Sequence, residues 1–115
     1  NINTSYLNRR HYYKLFQNCK NIVTSPKIDS TKAVISCCSM FDGCSSLTTA
    51  PEINTSECGD FRYMFRDCIS LTSVPEYRLY ANYIDSQYGT DASYMFNNCK
   101  SLTNLPNVFK NNNLF

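Results

Sequence analysis

Seven cysteines and one histidine are the residues of this chain whose types could support nucleophilic or metal chemistry. Zinc sites commonly use Cys-x-x-Cys pairs, and the sequence contains no such pair. A Cys–His nucleophile would need His11 beside a thiol, but Arg9 and Arg10 favour a solvated basic surface there. With three glycines, the chain has no glycine-rich phosphate loop either. We therefore predict that the protein is not an enzyme and has no metal site and no cofactor.

Four of the cysteines recur at the same place in a repeated motif. The structure of that motif therefore determines where these four side chains lie. Each follows Phe-x-x, precedes a Leu or Ile by three residues and precedes a proline by seven. The motif cysteines are Cys19, Cys44, Cys68 and Cys99, spaced by 25, 24 and 31 residues. These periods lie within or near the range of leucine-rich repeats, which is about 20–29 residues.

The columns of the repeat predict a local structure for each copy. We expect the phenylalanines to form a buried aromatic column, which consists of Phe16, Phe41, Phe65 and Phe96. The residue before each motif cysteine has a type that tolerates a left-handed backbone; these are Asn18, Gly43, Asp67 and Asn98. We therefore predict a short helical turn at Met-Phe, ended by that residue. The following Thr-rich segment, such as Leu47 to Ala50, predicts a short strand limited by proline.

The repeated motif divides the cysteines into two groups. The four motif cysteines are predicted to be free, buried thiols that act as small hydrophobic side chains. Cys37, Cys38 and Cys58 lie outside the motif column. A pair between Cys58 and either Cys37 or Cys38 is the open alternative for these three.

The motif Met-Phe-x-x-Cys-x-Ser-Leu-Thr-x-x-Pro resembles the BspA-like leucine-rich repeats of bacterial surface proteins. The resemblance covers Tyr12 to about Val108, and the first copy departs from it, with Leu15 in place of Met. It implies an α/β repeat solenoid, leucine-rich-repeat-like, with about four stacked coils, short strands on one face and short helical turns on the other. We predict an N-terminal flank at 1–11 and a single solenoid at 12–115, with an insertion at 77–90.

The resemblance also implies a secreted or cell-surface protein that adheres to other proteins. We predict a non-catalytic binding module whose partner is a protein, with a polysaccharide as the other candidate. Polar columns after the Leu and Pro positions, together with the insertion, supply the candidate binding residues, which are Thr49, Glu52, Ser73, Glu76, Arg78, Tyr80 and Tyr83. A net charge of +2 with scattered signs gives no reason to expect nucleic acid, and no apolar run is long enough for a transmembrane segment.

Two alternative functions belong to different classes. The chain could be a structural subunit of a larger surface assembly, such as a lipoprotein associated with a membrane transporter or a virion component. A large exposed apolar patch would favour that interpretation. It could also be a carbohydrate-binding module, which an exposed tyrosine platform beside Asp or Asn would favour.

Overall fold

The two strands in the described part of this protein are short and parallel. A computed structural model describes residues 10–77, 91–106 and 114–115. In this part of the chain, β1 spans Arg10–His11 and β2 spans Val34–Ser36. Arg10 pairs with Val34 and His11 with Ser36, so the register shifts by one residue between the two pairs. β1 therefore lies within the segment that the sequence assigned to an N-terminal flank.

The prediction of an α/β repeat solenoid with strands on one face and helical turns on the other is wrong. The described residues contain no helix, and their two strands have two and three residues. It follows that no helix in this part of the chain is long and apolar enough to cross a membrane.

The expected helical turn is replaced by tight turns. In the second copy, the N–H of Met40 donates to Cys37 C=O and the N–H of Cys44 donates to Phe41 C=O, both at 3.0 Å. These bonds span three residues, whereas an α-helix needs bonds that span four. The segment therefore reverses direction at each turn before a helix can develop.

The expected strands are reduced to single backbone bridges. Thr49 forms isolated parallel bridges with Thr24 and Ser73, and Ser73 forms another with Asn104. Proline follows each of these positions by two residues and cannot donate to a sheet ladder, so the pairing stops there. The predicted strand face is thus a row of bridged residues, which we call the hydroxyl–amide row: Thr24, Thr49, Ser73 and Asn104.

Left-handed residues explain why the turns are so tight. The predicted left-handed column is confirmed, with φ of 61° at Asn18, 82° at Gly43, 61° at Asp67 and 63° at Asn98. A second left-handed column, which the sequence did not reveal, lies four residues earlier in each copy. It consists of Lys14, Ser39, Tyr63 and Tyr94, with φ of 57°, 55°, 56° and 56°. A positive φ at the third residue of a four-residue turn is the feature of type II turns.

Backbone hydrogen bonds join successive copies of the motif. The N–H groups of Phe16, Phe41 and Phe65 donate to the C=O groups of Met40, Met64 and Met95 at 2.8, 2.8 and 2.9 Å. In the opposite direction, the N–H of Thr48 donates to Val23 C=O at 2.9 Å and the N–H of Thr72 donates to Thr48 C=O at 3.0 Å. The polar backbone of these turns is thereby satisfied inside the protein, as burial requires.

The predicted phenylalanine column is present and forms the centre of the core. Phe41, Phe65 and Phe96 are completely buried, and Phe16 is partly buried. The ring centroids of Phe16 and Phe41 lie 5.3 Å apart, those of Phe41 and Phe65 5.6 Å, and those of Phe65 and Phe96 5.8 Å. Tyr77 is also buried, and its hydroxyl donates to Pro51 C=O at 2.7 Å. The rest of the predicted insertion lies outside the described residues.

Candidate functional site

The predicted binding residues fall into a described group and a group outside the described part of the chain. Thr49, Glu52 and Glu76 have exposed side chains, and Ser73 is partly buried. Arg78, Tyr80 and Tyr83 lie outside the described residues. The contribution of the insertion to binding therefore stays a prediction.

A cavity of about 330 Å³ opens beside Thr49 and Glu52. Lys27 also lines it, so the cavity carries one basic and one acidic side chain. Other lining residues are Thr24, Ser30 and Pro51. Ser73 and Glu76 do not line it. The structure thus places two of the predicted residues, Thr49 and Glu52, beside residues of the first copy. The first copy matches the motif imperfectly, so its residues were not among the predicted binding residues.

The threonine hydroxyls in and beside the hydroxyl–amide row differ in whether they are accessible to a ligand. The Thr48 hydroxyl donates to Val23 C=O at 3.1 Å, and the Thr72 hydroxyl donates to Thr48 C=O at 3.2 Å. These two hydroxyls therefore reinforce the backbone bonds between copies. Thr49 is exposed at the cavity instead, where its hydroxyl can meet a partner.

A second polar surface surrounds Tyr63 and Tyr94, which we call the tyrosine pair. Their rings are stacked with centroids 5.7 Å apart and planes 10° from parallel. The Arg66 guanidinium lies 4.3 Å from the Tyr63 ring centroid, within the range of cation–π contacts. Tyr94 remains 49% exposed, so the pair offers an aromatic surface to solvent.

Two arginine–aspartate contacts adjoin the tyrosine pair. Arg66 donates to both carboxylate oxygens of the buried Asp42, at 3.0 and 2.6 Å. Arg62 donates to both oxygens of Asp60, at 3.0 and 2.9 Å, and approaches Asp91 at 3.9 Å. The carboxylates raise the pKa of both guanidinium groups, chiefly through these hydrogen bonds. Both arginines are therefore permanently charged and held in place.

The repeat columns did not reveal this second surface, because its residues differ between copies. The signal that could have found it is the recurrence of tyrosine two residues before the phenylalanine in the third and fourth copies, at Tyr63 and Tyr94. In the first two copies the same place holds Lys14 and Ser39. The column therefore showed no common chemistry.

Three of the four motif cysteines are hydrogen-bond donors rather than nucleophiles. The thiols of Cys44, Cys68 and Cys99 donate to the C=O groups of Phe16, Phe41 and Phe65 at 3.0, 3.1 and 3.0 Å. Burial raises the pKa of Cys44 to about 11 and that of Cys99 to about 12, and it raises the pKa of Cys68 as well. At neutral pH these thiols are protonated, whereas a thiolate is the reactive form.

These raised pKa values predict a loss of stability in alkaline solution. Above pH 9.0, the ordinary pKa of a thiol, the unfolded chain loses protons that folded Cys44 retains up to about pH 11. Because the folded state then binds more protons, the free energy of unfolding falls as the pH rises. We expect urea midpoints to be constant from pH 7 to pH 8 and to decline between pH 9 and pH 11.

The matched control for this decline is Cys44→Ala. The variant should be less stable at every pH, but its decline between pH 9 and pH 11 should be shallower because one retained proton is gone. Parallel curves for the two proteins would show that Cys44 does not titrate as its burial requires.

Within the described ranges, no three His, Cys, Asp or Glu side chains are placed to hold a metal ion. Searches against family models, curated proteins and solved structures returned no match to this chain.

Proposed function

We propose that this chain is a non-catalytic binding module that receives a segment of a protein partner at the cavity beside Thr49 and Glu52. One observation carries the proposal. Two residues that the repeat columns single out for binding line the same cavity of about 330 Å³. A partner side chain placed there would meet the hydroxyl–amide row directly.

The chemistry of the cavity suits a peptide better than a cofactor. Lys27 and Glu52 supply both charge signs, while Ile28 and Pro51 supply apolar surface. Cavities for drug-sized ligands measure about 300–1,000 Å³. This one is at the lower end of that range, which fits one or two side chains of a longer partner. The small net charge of +2 also gives no preference for a polyanion.

The repeated motif supports the biological setting of the proposal. Its likeness to BspA-like repeats favours a cell-surface or extracellular protein that mediates adhesion. The residues that would contact the partner are then exposed polar side chains beside a small apolar patch, which is the usual composition of a non-obligate interface.

A random peptide library displayed on phage tests the proposal, because it offers the cavity peptides of many different sequences. Peptides selected on the immobilised protein should lose at least about tenfold in affinity for Thr49→Arg, because the longer charged side chain fills the cavity. Glu52→Lys should weaken peptides that carry a basic residue. The matched control is Thr103→Arg, which changes an exposed threonine that does not line the cavity.

Peptides that bind Thr49→Arg and Glu52→Lys as tightly as the unchanged protein would place the interface elsewhere. Melting temperatures of all variants should match that of the unchanged protein, because the substituted side chains are exposed.

Carbohydrate binding is the second candidate, and the tyrosine pair favours it. Tyr94 is 49% exposed, and the carboxylates of Asp60 and Asp91 flank the adjacent Arg62. An aromatic ring can pack on the apolar face of a sugar while carboxylates accept hydrogen bonds from its hydroxyl groups. A glycan array probed with the unchanged protein, Tyr94→Ala and the control Tyr13→Ala decides this. Binding that only Tyr94→Ala abolishes would support the carbohydrate function, and an array without bound glycans would refute it.

A further inference from the structure

Cys37 and Cys58 meet in the interior of the protein. They are 0% and 1% exposed. Two hydrogen bonds converge on one oxygen, since the backbone N–H of Cys37 donates to Asp60 C=O at 2.8 Å and the Cys58 thiol donates to the same C=O at 3.5 Å. The Cys58 side chain is also close enough to raise the pKa of the Cys37 thiol. Neither cysteine belongs to the motif column.

We propose that Cys37 and Cys58 form a disulfide cross-link when the chain folds in the presence of a small-molecule disulfide such as oxidised glutathione. The fold holds the Cys58 sulfur and the Cys37 backbone N–H against the same carbonyl oxygen of Asp60 before any covalent bond exists. Ser36 and Asp60 form a parallel bridge immediately beside the pair, which keeps the two segments together.

The other thiols have different partners, which makes the pair selective. Cys44, Cys68 and Cys99 each donate to a phenylalanine C=O and not to a neighbouring thiol. Cys38, next to Cys37 in the chain, has its sulfur 3.9 Å from the Ser39 hydroxyl. We therefore expect Cys37 to be selected over Cys38, because the Cys37 side chain lies beside Cys58 whereas the Cys38 sulfur lies beside the Ser39 hydroxyl.

Burial of the two sulfurs sets when the pair can react. Because both cysteines are buried in the folded state, reaction with the small disulfide takes place during folding, while their thiols are still accessible.

The exchange proceeds in two balanced steps. Either cysteine can attack first; when it is Cys58, its thiolate attacks one sulfur of oxidised glutathione, breaks the S–S bond and releases one glutathione thiolate. That thiolate takes the proton of Cys37, whose sulfur then attacks the Cys58 sulfur of the mixed disulfide and expels the second glutathione as a thiolate. The second glutathione thiolate takes up the proton that Cys58 released, so the protein loses two protons and two electrons in total and oxidised glutathione becomes two glutathione thiols.

Refolding followed by peptide mapping tests the cross-link. The reduced, unfolded chain is refolded in a mixture of oxidised and reduced glutathione, its remaining thiols are alkylated in denaturant, and the digest is analysed by mass spectrometry. We expect a peptide joining Cys37 to Cys58. Because the cross-link restricts the unfolded chain, the melting temperature should rise by on the order of 10 °C over that of the reduced protein.

Two variants complete the experiment. Cys38→Ser should keep both the cross-link and the rise in melting temperature, and Cys37→Ser should lose both. The map of the unchanged protein decides the matter even if Cys37→Ser does not fold. Recovery of alkylated Cys37 and Cys58, or a bridge from Cys58 to Cys38 or to a motif cysteine, would overturn the proposal.

Discussion

Phe65→Ala should cost about 3–5 kcal/mol of the free energy of unfolding, the largest loss expected from a single substitution in this chain. Phe65 is completely buried, and its ring stacks on Phe41 and Phe96 at 5.6 and 5.8 Å. The Tyr77 ring lies 6.3 Å away. Truncation would leave a cavity bordered by three aromatic rings, which cannot collapse to fill it. Urea denaturation followed by circular dichroism measures the loss.

The control for Phe65→Ala is the same change at the start of the phenylalanine column. Phe16 is only partly buried, and among the residues that the structure describes it stacks on one phenylalanine, Phe41, at 5.3 Å. Phe16→Ala should therefore lose clearly less free energy of unfolding than Phe65→Ala. Equal losses would mean that stacking along the column does not organise the core.

Asp42→Asn should cost about 2–3 kcal/mol. The Asp42 side chain is 5% exposed and accepts hydrogen bonds from Arg66 at 3.0 and 2.6 Å and from Gln17 at 3.3 Å. An amide has one oxygen, so its NH₂ group would face one of these donors. The charge of Arg66 would also lose its partner. The midpoint of urea denaturation reports this change.

Asp60→Asn is the matched control, because Asp60 also binds an arginine through both oxygens. That pair is more exposed, with side-chain exposures of 47% for Arg62 and 27% for Asp60. Exposed ion pairs contribute about 0–1 kcal/mol, so this variant should be close to the unchanged protein in stability. A loss as large as that of Asp42→Asn would contradict the distinction between buried and exposed pairs.

The features of this fold that the sequence predicted are those that one residue type enforces. Phe41, Phe65 and Phe96 are buried because every copy places an apolar aromatic ring at the same position, and burial removes these rings from water. Gly43 and Asn98 are left-handed because their types tolerate that backbone. Regular elements could not be predicted in this way, since tight turns and prolines interrupt the backbone before a helix or an extended strand develops.

The second left-handed column shows where residue types stop being informative. Tyr63 and Tyr94 have positive φ although tyrosine disfavours it, so the surrounding hydrogen bonds impose the conformation. At the candidate site, Thr49 and Glu52 were predictable from the repeat columns. Thr24 was not selected because the first copy matches the motif poorly, and Asp42 was missed because its arginine partner belongs to another copy.

Chemical-shift mapping by nuclear magnetic resonance tests the proposed binding function most directly. A peptide selected on the unchanged protein is titrated into the isotope-labelled chain, and backbone amide signals are followed to saturation. We expect saturable shifts that cluster at Thr24, Lys27, Thr49 and Glu52, with little change at Tyr94. Shifts that cluster at the tyrosine pair, or that do not saturate, would contradict the claim that this cavity receives the partner.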